Sequence, residues 1–348
     1  MTVDERLDAL RDLIQRDVGN RGLARDPADN LLTHCRGDLA AACRNIAEAP
    51  RPILGVVTGF PIVSVDPPRA ETDGPLGAVF LARALAPLGI TVMIGADRNC
   101  RDALRAGLSA CGLTERVPVV TLPQADETCD FFSGFFECWD DDPDRSNPVP
   151  THYVAVERVG PNHTPESLAA QGADDPDVMS RFLTEVPVGH RDRCHNMRGR
   201  DVTEHTGSAH LLFDELSGEA FSAETRIRTI GIGDGGNEIG MGKIPWDTIR
   251  RNIPSGGLVA CRVPTDHLIV AGVSNWGAYA LAAGVLLLRG ETGDPALFDP
   301  GRERDILRVM VERGPLVDGV SGRPTATVDG LTWEQYAEPL AAMGRLLR

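Results

Sequence analysis

The chain has 348 residues, of which 42% are hydrophobic and 24% charged, and carries a net charge of −15 at pH 7. Such fractions belong to a folded globular protein with ample core, in one large domain or two smaller ones, and the acidic balance argues against nucleic acid as a partner. No apolar run is long enough to cross a bilayer: the best, 278–288, falls short of the roughly 18 residues required.

The first residues include Asp4 and Glu5 and no apolar signal-peptide core, so a cytoplasmic location without a membrane partner is expected. The eight cysteines have no CxxC spacing and read as reduced thiols. Leucine and isoleucine at positions 7, 10, 13 and 14 mark a helical stripe over 3–18, and a second helix is expected over 37–48. Residues 1–50 therefore read as a helical N-terminal extension, and 51–348 as a single α/β domain.

That domain opens with a buried-type strand over 53–57. A polar loop runs from there to Glu71-Thr72-Asp73-Gly74-Pro75, and a helix is expected over 76–88. Strand 91–94, helix 102–110 and strand 117–122 continue the alternation, which predicts a mainly parallel sheet with helices on both faces, a three-layer α/β/α fold. Phe131, Phe132, Phe135, Phe136 and Trp139 suggest a buried helical turn. Strand 153–156 then delivers Glu157 and Arg158 at its carboxyl end. Residues 160–205 show little periodicity and read as an irregular active-site segment. A helix over 211–216, a strand over 227–232, an amphipathic piece over 246–253, strands over 258–263 and 267–271, a helix begun by Ser274-Asn275, and helices over 304–313 and from Trp333 complete the expectation.

The densest chemistry lies just after strand 227–232. Six glycines between 231 and 242 surround Asp234, Asn237, Glu238 and Lys243, the single lysine of the chain. Each glycine costs a helix about 1 kcal/mol relative to alanine, so a loop is expected, with backbone free to approach a ligand. Gly231, Gly233 and Gly236 spell GxGxxG, yet no helix follows directly and no acid stands about 20 residues on, as a dinucleotide site needs. A P-loop fails too, with five residues rather than four before Gly242-Lys243 and isoleucine after it. His190, Cys194, His195, His205 and His210 are poorly spaced for zinc. The arginines among them favour an anionic ligand.

Taken together, Glu71-Thr72-Asp73-Gly74-Pro75, Val156-Glu157-Arg158, Gly233-Asp234-Gly235-Gly236-Asn237-Glu238, Ala271-Gly272-Val273-Ser274-Asn275-Trp276-Gly277 and Gly319-Val320-Ser321-Gly322 resemble the D-glutamate cyclase-like family in its C-terminal domain. Asn196-Met197-Arg198 is similar to the family's Asn-x-Arg. The likeness runs over about 53–330, and in longer relatives a separate domain precedes it. The resemblance implies a lyase of glutamate metabolism that closes D-glutamate to 5-oxo-D-proline with loss of water. Asp234, Glu238, Asn237 and Lys243 are then the catalytic candidates, with Lys243 polarising the attacked carboxylate. Arg158 and Arg198 are candidates for gripping the α-carboxylate. Asn196, Ser274, Asn275, Thr72, Gly235 and Gly236 are the remaining substrate-binding candidates. Glu71 and Asp73, with Asp234 and Glu238, are candidate ligands for a divalent Mg or Mn ion. The expected partner is a small anionic amino acid, with a homo-oligomer left open. Another enzyme of such a substrate (a dehydratase, racemase or amide-forming enzyme) and a non-catalytic metabolite-binding subunit stay open as alternatives.

Overall fold

The computed structural model describes residues 1–123, 149–172, 175–216 and 226–348. Six strands form one sheet: β1 (Ile53–Thr58), β4 (Thr91–Ala96), β5 (Val119–Thr121), β6 (His152–Val156), β7 (Arg228–Gly233) and β8 (His267–Val270). Between β1 and β4 a two-stranded antiparallel ribbon, β2 (Pro61–Ile62) with β3 (Arg69–Ala70), stands apart. The sheet order is β5-β4-β1-β6-β7-β8, and every pairing in it is parallel. Winding proceeds outward from β1 in one direction and then from β6 in the other, so the carboxyl ends of β1 and β6 frame a crevice.

Strand residues alternate between two apolar cores. Leu54, Val56, Val154, Val156, Ile230 and Ile232 face one; Val57, Tyr153, Ala155, Leu268 and Val270 face the other. Burial on both faces explains why the strands read as continuous apolar runs. The first core is closed by helices Val3–Ile14, Asp38–Glu48, Pro75–Leu85, Arg98–Ala110, Ser274–Leu288, Pro300–Arg313 and Trp333–Leu346. The second lies under Leu31–His34, Pro165–Ala170, Pro176–Glu185, Ala209–Leu216 and Trp246–Asn252. This is the three-layer α/β/α arrangement. Among the described residues no helix is long and apolar enough to cross a membrane.

Residues 1–50 are part of this body. Leu7, Leu10, Ile14, Leu39, Ala42, Cys43 and Ile46 are buried in the same core as the sheet. The Gly272 N–H donates to the Ile14 carbonyl at 2.8 Å, and a Cβ at Gly272 would stand 1.7 Å from the Arg16 carbonyl oxygen.

Two expectations are corrected. The run 258–263 is not a strand: Gly256–Val259 is a helical turn, after which Cys261 N–H donates to Gly236 O and Arg262 N–H to Pro161 O. Its apolar residues are buried against the glycine loop rather than in the sheet. The segment 160–205 is less irregular than its composition suggests, because Thr164 and Asp175 cap helices Pro165–Ala170 and Pro176–Glu185, each with proline in its first turn. The expected aromatic turn at Phe131 to Trp139 lies outside the described residues.

If residues 1–50 fold with the sheet, Leu10→Ala should cost about 2–5 kcal/mol and move one cooperative transition. Urea unfolding followed by tryptophan fluorescence and far-UV dichroism should give coincident curves. A separate early transition would mark the N-terminal helices as independent.

Candidate active site

At the end of β7 the chain doubles back over its own strand. Glu238 sends its carboxylate underneath: Oε1 accepts the N–H of Asp234 at 3.0 Å and of Gly235 at 2.7 Å, and Oε2 that of Gly236 at 2.8 Å. Convergent backbone N–H groups make an anion nest, and here the anion is the loop's own side chain. The glycines meet the steric condition for this. A Cβ at Gly231 would stand 2.5 Å from the Ile239 carbonyl oxygen, and one at Gly233 2.8 Å from the Glu238 carboxyl carbon. Glu238 is thus a clasp that shapes the loop, not a free base. The amides of Gly235 and Gly236 are spent on it. Asn237 is buried behind the loop, where its Nδ2 donates to the His195 carbonyl at 2.8 Å.

The start of helix Ser274–Leu288 is occupied in a similar way. Asp73 reaches across, accepting the Ser274 N–H through Oδ2 at 2.8 Å and the Asn275 N–H through Oδ1 at 2.7 Å. The expected anion site at Ser274-Asn275 is therefore filled by an internal carboxylate. Asn275 in turn accepts the N–H groups of Gly74 and Gly77 at 2.9 and 2.7 Å, seating the opening of helix Pro75–Leu85. The Thr72 hydroxyl donates to the Thr327 carbonyl at 2.8 Å. Thr72, Ser274 and Asn275 thus brace one wall of the site from behind, and none of them lines the cavity itself.

Between these walls lies a cavity of about 300 Å³, lined by Arg21, Glu71, Glu157, Asp234 and Asp329 among its polar groups. Arg21 binds Asp234 at 2.9 Å and the Gly272 carbonyl at 3.0 Å through Nη1, and Asp329 at 3.1 Å through Nη2. Asp17 holds Arg21 in place by accepting the N–H groups of residues 21, 22 and 23. Glu157 sits at the end of β6 with φ of +44°, a left-handed conformation that a glutamate adopts only under constraint, and it accepts the Ser274 hydroxyl. Burial, followed by repulsion from Asp329, lifts the Asp73 carboxyl to about 7. Burial first and neighbouring acids next hold Glu71 and Glu157 well above the carboxylate range. Asp234 is raised too, mainly by burial and against the pull of Arg21.

Two groups of acids bring ligand oxygens within 4.8 Å of one another: Asp73, Asp234 and Asp329, and Glu157, Asp234 and Glu238. Both are entirely carboxylate, so among the described residues the histidines and cysteines of 190–210 form no such cluster. At the rim of the cavity stand Asn196, Met197, Arg198 and Arg200, with Phe60, Ile62, Val63 and Val320 as its apolar flank. Arg198 and Arg200 are exposed, and neither forms an ion pair among the described residues. Asn196 shapes their turn by accepting both of their N–H groups at 3.0 Å.

Two candidate roles fail on geometry. Arg158 is wholly buried in a two-pronged pair with Asp97, at 2.5 and 2.9 Å, and also donates to the carbonyls of Gly59 and Gly207. All of that tethers strand ends and commits both Nη groups, and Arg158 does not line the cavity. Lys243 lies away from the cavity, its ammonium bound to Asp38 at 2.5 Å and to the Asp266 carbonyl at 2.9 Å. The sequence does not single out Arg21 or Asp329, whereas Arg200 is among the arginines that favour an anionic ligand and Glu157 stands with Arg158 in a polar pair at the carboxyl end of a strand, where open α/β sheets bind ligands. The Asp329-Gly330 pair was a turn signal and Gly19-Asn20-Arg21-Gly22 another, but neither pointed at chemistry.

A raised folded-state pKa means that stability is fully present below the unfolded carboxylate pKa and is lost as pH rises through the folded value. Asp234→Asn removes that loss. The stability of the variant relative to wild type should therefore increase as pH rises from about 4 to 8, with unfolding midpoints in urea as the readout. A difference that shrinks with pH would contradict the buried, proton-retaining state of Asp234.

The profile of the family described as D-glutamate cyclase-like, C-terminal, matches residues 10–182 and 184–344. The protein named D-glutamate cyclase, mitochondrial, of Homo sapiens is 30% identical over 359 aligned residues, which cover 95% of this chain and 50% of that protein. The chain thus spans about half the length of this curated relative. The profile match takes in Arg21 and helix Asp38–Glu48 as well as the glycine loop, and the chain belongs to the D-glutamate cyclase-like family.

Proposed function

We propose that this chain is a hydro-lyase that closes D-glutamate to 5-oxo-D-proline. The observation that carries the reading is the polarity of the cavity. Its floor gathers Glu71, Glu157, Asp234 and Asp329 around the guanidinium of Arg21, while Arg198 and Arg200 stand exposed at its rim with no ion pair among the described residues. An amino acid with a cationic amine and a carboxylate fits such a gradient amine-inward, with its methylenes along the apolar flank.

The chemistry asks for that arrangement. The substrate nitrogen carries three protons and the lactam nitrogen one, so two protons must pass to the departing oxygen, which leaves as water. The amine attacks the γ-carboxyl carbon, a C–N bond forms and a C–O bond breaks. Carboxyls held above the usual carboxylate range by burial suit both halves of this exchange, taking a proton from the ammonium and returning one to the leaving oxygen. Asp234 and Glu157, which line the cavity, are assigned these roles. Arg21 offsets charge that builds on the attacked carboxyl. Confining both ends of the substrate in one cavity supplies a further advantage, about 7 kcal/mol or more in the best intramolecular cases.

A divalent ion such as Mg²⁺ or Mn²⁺ fits the donor set, since hard cations take carboxylate oxygens. Asp234, common to both acid clusters, would hold it together with Asp73 and Asp329 or with Glu157 and Glu238. Bound there, it would act as a Lewis acid on the attacked carboxyl.

Chiral chromatography of 5-oxoproline formed from D- and L-glutamate, with EDTA and with added Mg²⁺ or Mn²⁺, tests the proposal. Turnover of the D form is expected. Asp234→Asn, Glu157→Gln and Arg21→Met should each lower kcat/KM by on the order of 10²–10⁴-fold, whereas Lys243→Met should leave it within about twofold. A folded wild-type chain that yields no 5-oxoproline in any condition would overturn the assignment.

A further inference from the structure

Behind the site lies a row of buried polar groups that the chemistry above does not use. Glu303, Tyr279 and Tyr336 are completely buried in the apolar layer between helices Pro75–Leu85, Ser274–Leu288, Pro300–Arg313 and Trp333–Leu346. Arg83 pairs with Glu303. The Tyr279 hydroxyl donates to Glu303 Oε1 at 2.9 Å, and the hydroxyls of Tyr279 and Tyr336 are 2.6 Å apart. The Tyr336 hydroxyl is in turn a near neighbour of the Asn275 side chain.

A buried ion pair is weak support for stability, since well-packed apolar residues often do as well, so this row invites another explanation. Proton direction gives one. Tyr279 has a single proton and sends it to Glu303, so in the hydroxyl pair Tyr336 must be the donor. The Tyr336 oxygen is left as an acceptor facing Asn275. That fits the orientation of the Asn275 amide, whose oxygen accepts from Gly74 and Gly77 while its nitrogen donates to the Thr72 carbonyl at 3.2 Å. The next residue is tied to the same helix, with Trp276 Nε1 donating to the Tyr336 carbonyl at 2.9 Å.

We propose that Glu303, Tyr279 and Tyr336 are positioning residues: anchored on Glu303, the hydroxyl row fixes the Asn275 amide, and with it the helix start that offers two N–H groups to Asp73 and the Ser274 hydroxyl to Glu157. Tyr336→Phe keeps the ring and removes the link. The backbone amide resonances of Ser274, Asn275, Gly74 and Gly77 should shift in this variant while those of Leu286 and Leu287, at the far end of the helix, stay in place. With D-glutamate, kcat should fall by on the order of ten- to a hundredfold at a KM within about twofold of wild type, the signature of lost alignment rather than lost binding. Tyr279→Phe, which strips Tyr336 of its acceptor, should move the same resonances and kcat in the same direction. Unchanged resonances and kcat in Tyr336→Phe, with only a lower melting temperature, would overturn the inference and leave the row a packing device. The kinetic arm rests on the lactam-forming reading and the resonances do not, so a wild-type chain without turnover would fail that reading while the resonances still decide this one.

Discussion

The site depends on a charge imbalance inside a low-dielectric space. Glu71, Asp73, Glu157, Asp234 and Asp329 crowd the end of the sheet, and Arg21 is the cation set among them. Taking charges out of water is costly, and Glu71, Asp73, Glu157 and Asp234 meet that cost by holding protons that an exposed carboxylate would release. The retention of protons is thus a property of the packing before it is a property of any one residue. It follows from placing Glu157 and Asp234 at the ends of β6 and β7, with Glu71 and Asp73 brought to them by the loop after β3.

That architecture was largely legible in the sequence. Apolar runs such as 53–57 and 153–156 can be read as buried parallel strands because both faces are covered, and the glycine loop announced itself by composition. The failures have a common physical cause. A run like 258–263 is apolar because it is buried, and burial alone does not say whether its backbone bonds run to a sheet or, as here, to Gly236 and Pro161.

Within the site, residue type was legible and residue role was not. Asp234 and Arg198 line the cavity, yet Glu238 and Asp73, equally acidic and in equally suggestive motifs, have oxygens bound to backbone N–H groups. Arg158, expected to grip a carboxylate, is locked to Asp97, while Arg200 stands exposed at the rim with no ion pair among the described residues. The partner of a charged side chain is fixed by contacts distant in sequence. Arg21, for instance, meets Asp234 from 213 positions away, a pairing that no local pattern encodes.

The clasp formed by Glu238 places the loop one side chain away from a different kind of recognition. Three N–H groups already converge on a point behind β7, and the glycines that let them do so are in place. Were residue 238 to lose its carboxylate while the loop kept its course, the same donors would face a vacant position of the kind that oxyanions and phosphates seek. The fold thus meets three backbone donors with its own glutamate, and the course of the loop hangs on one carboxylate that the loop itself carries.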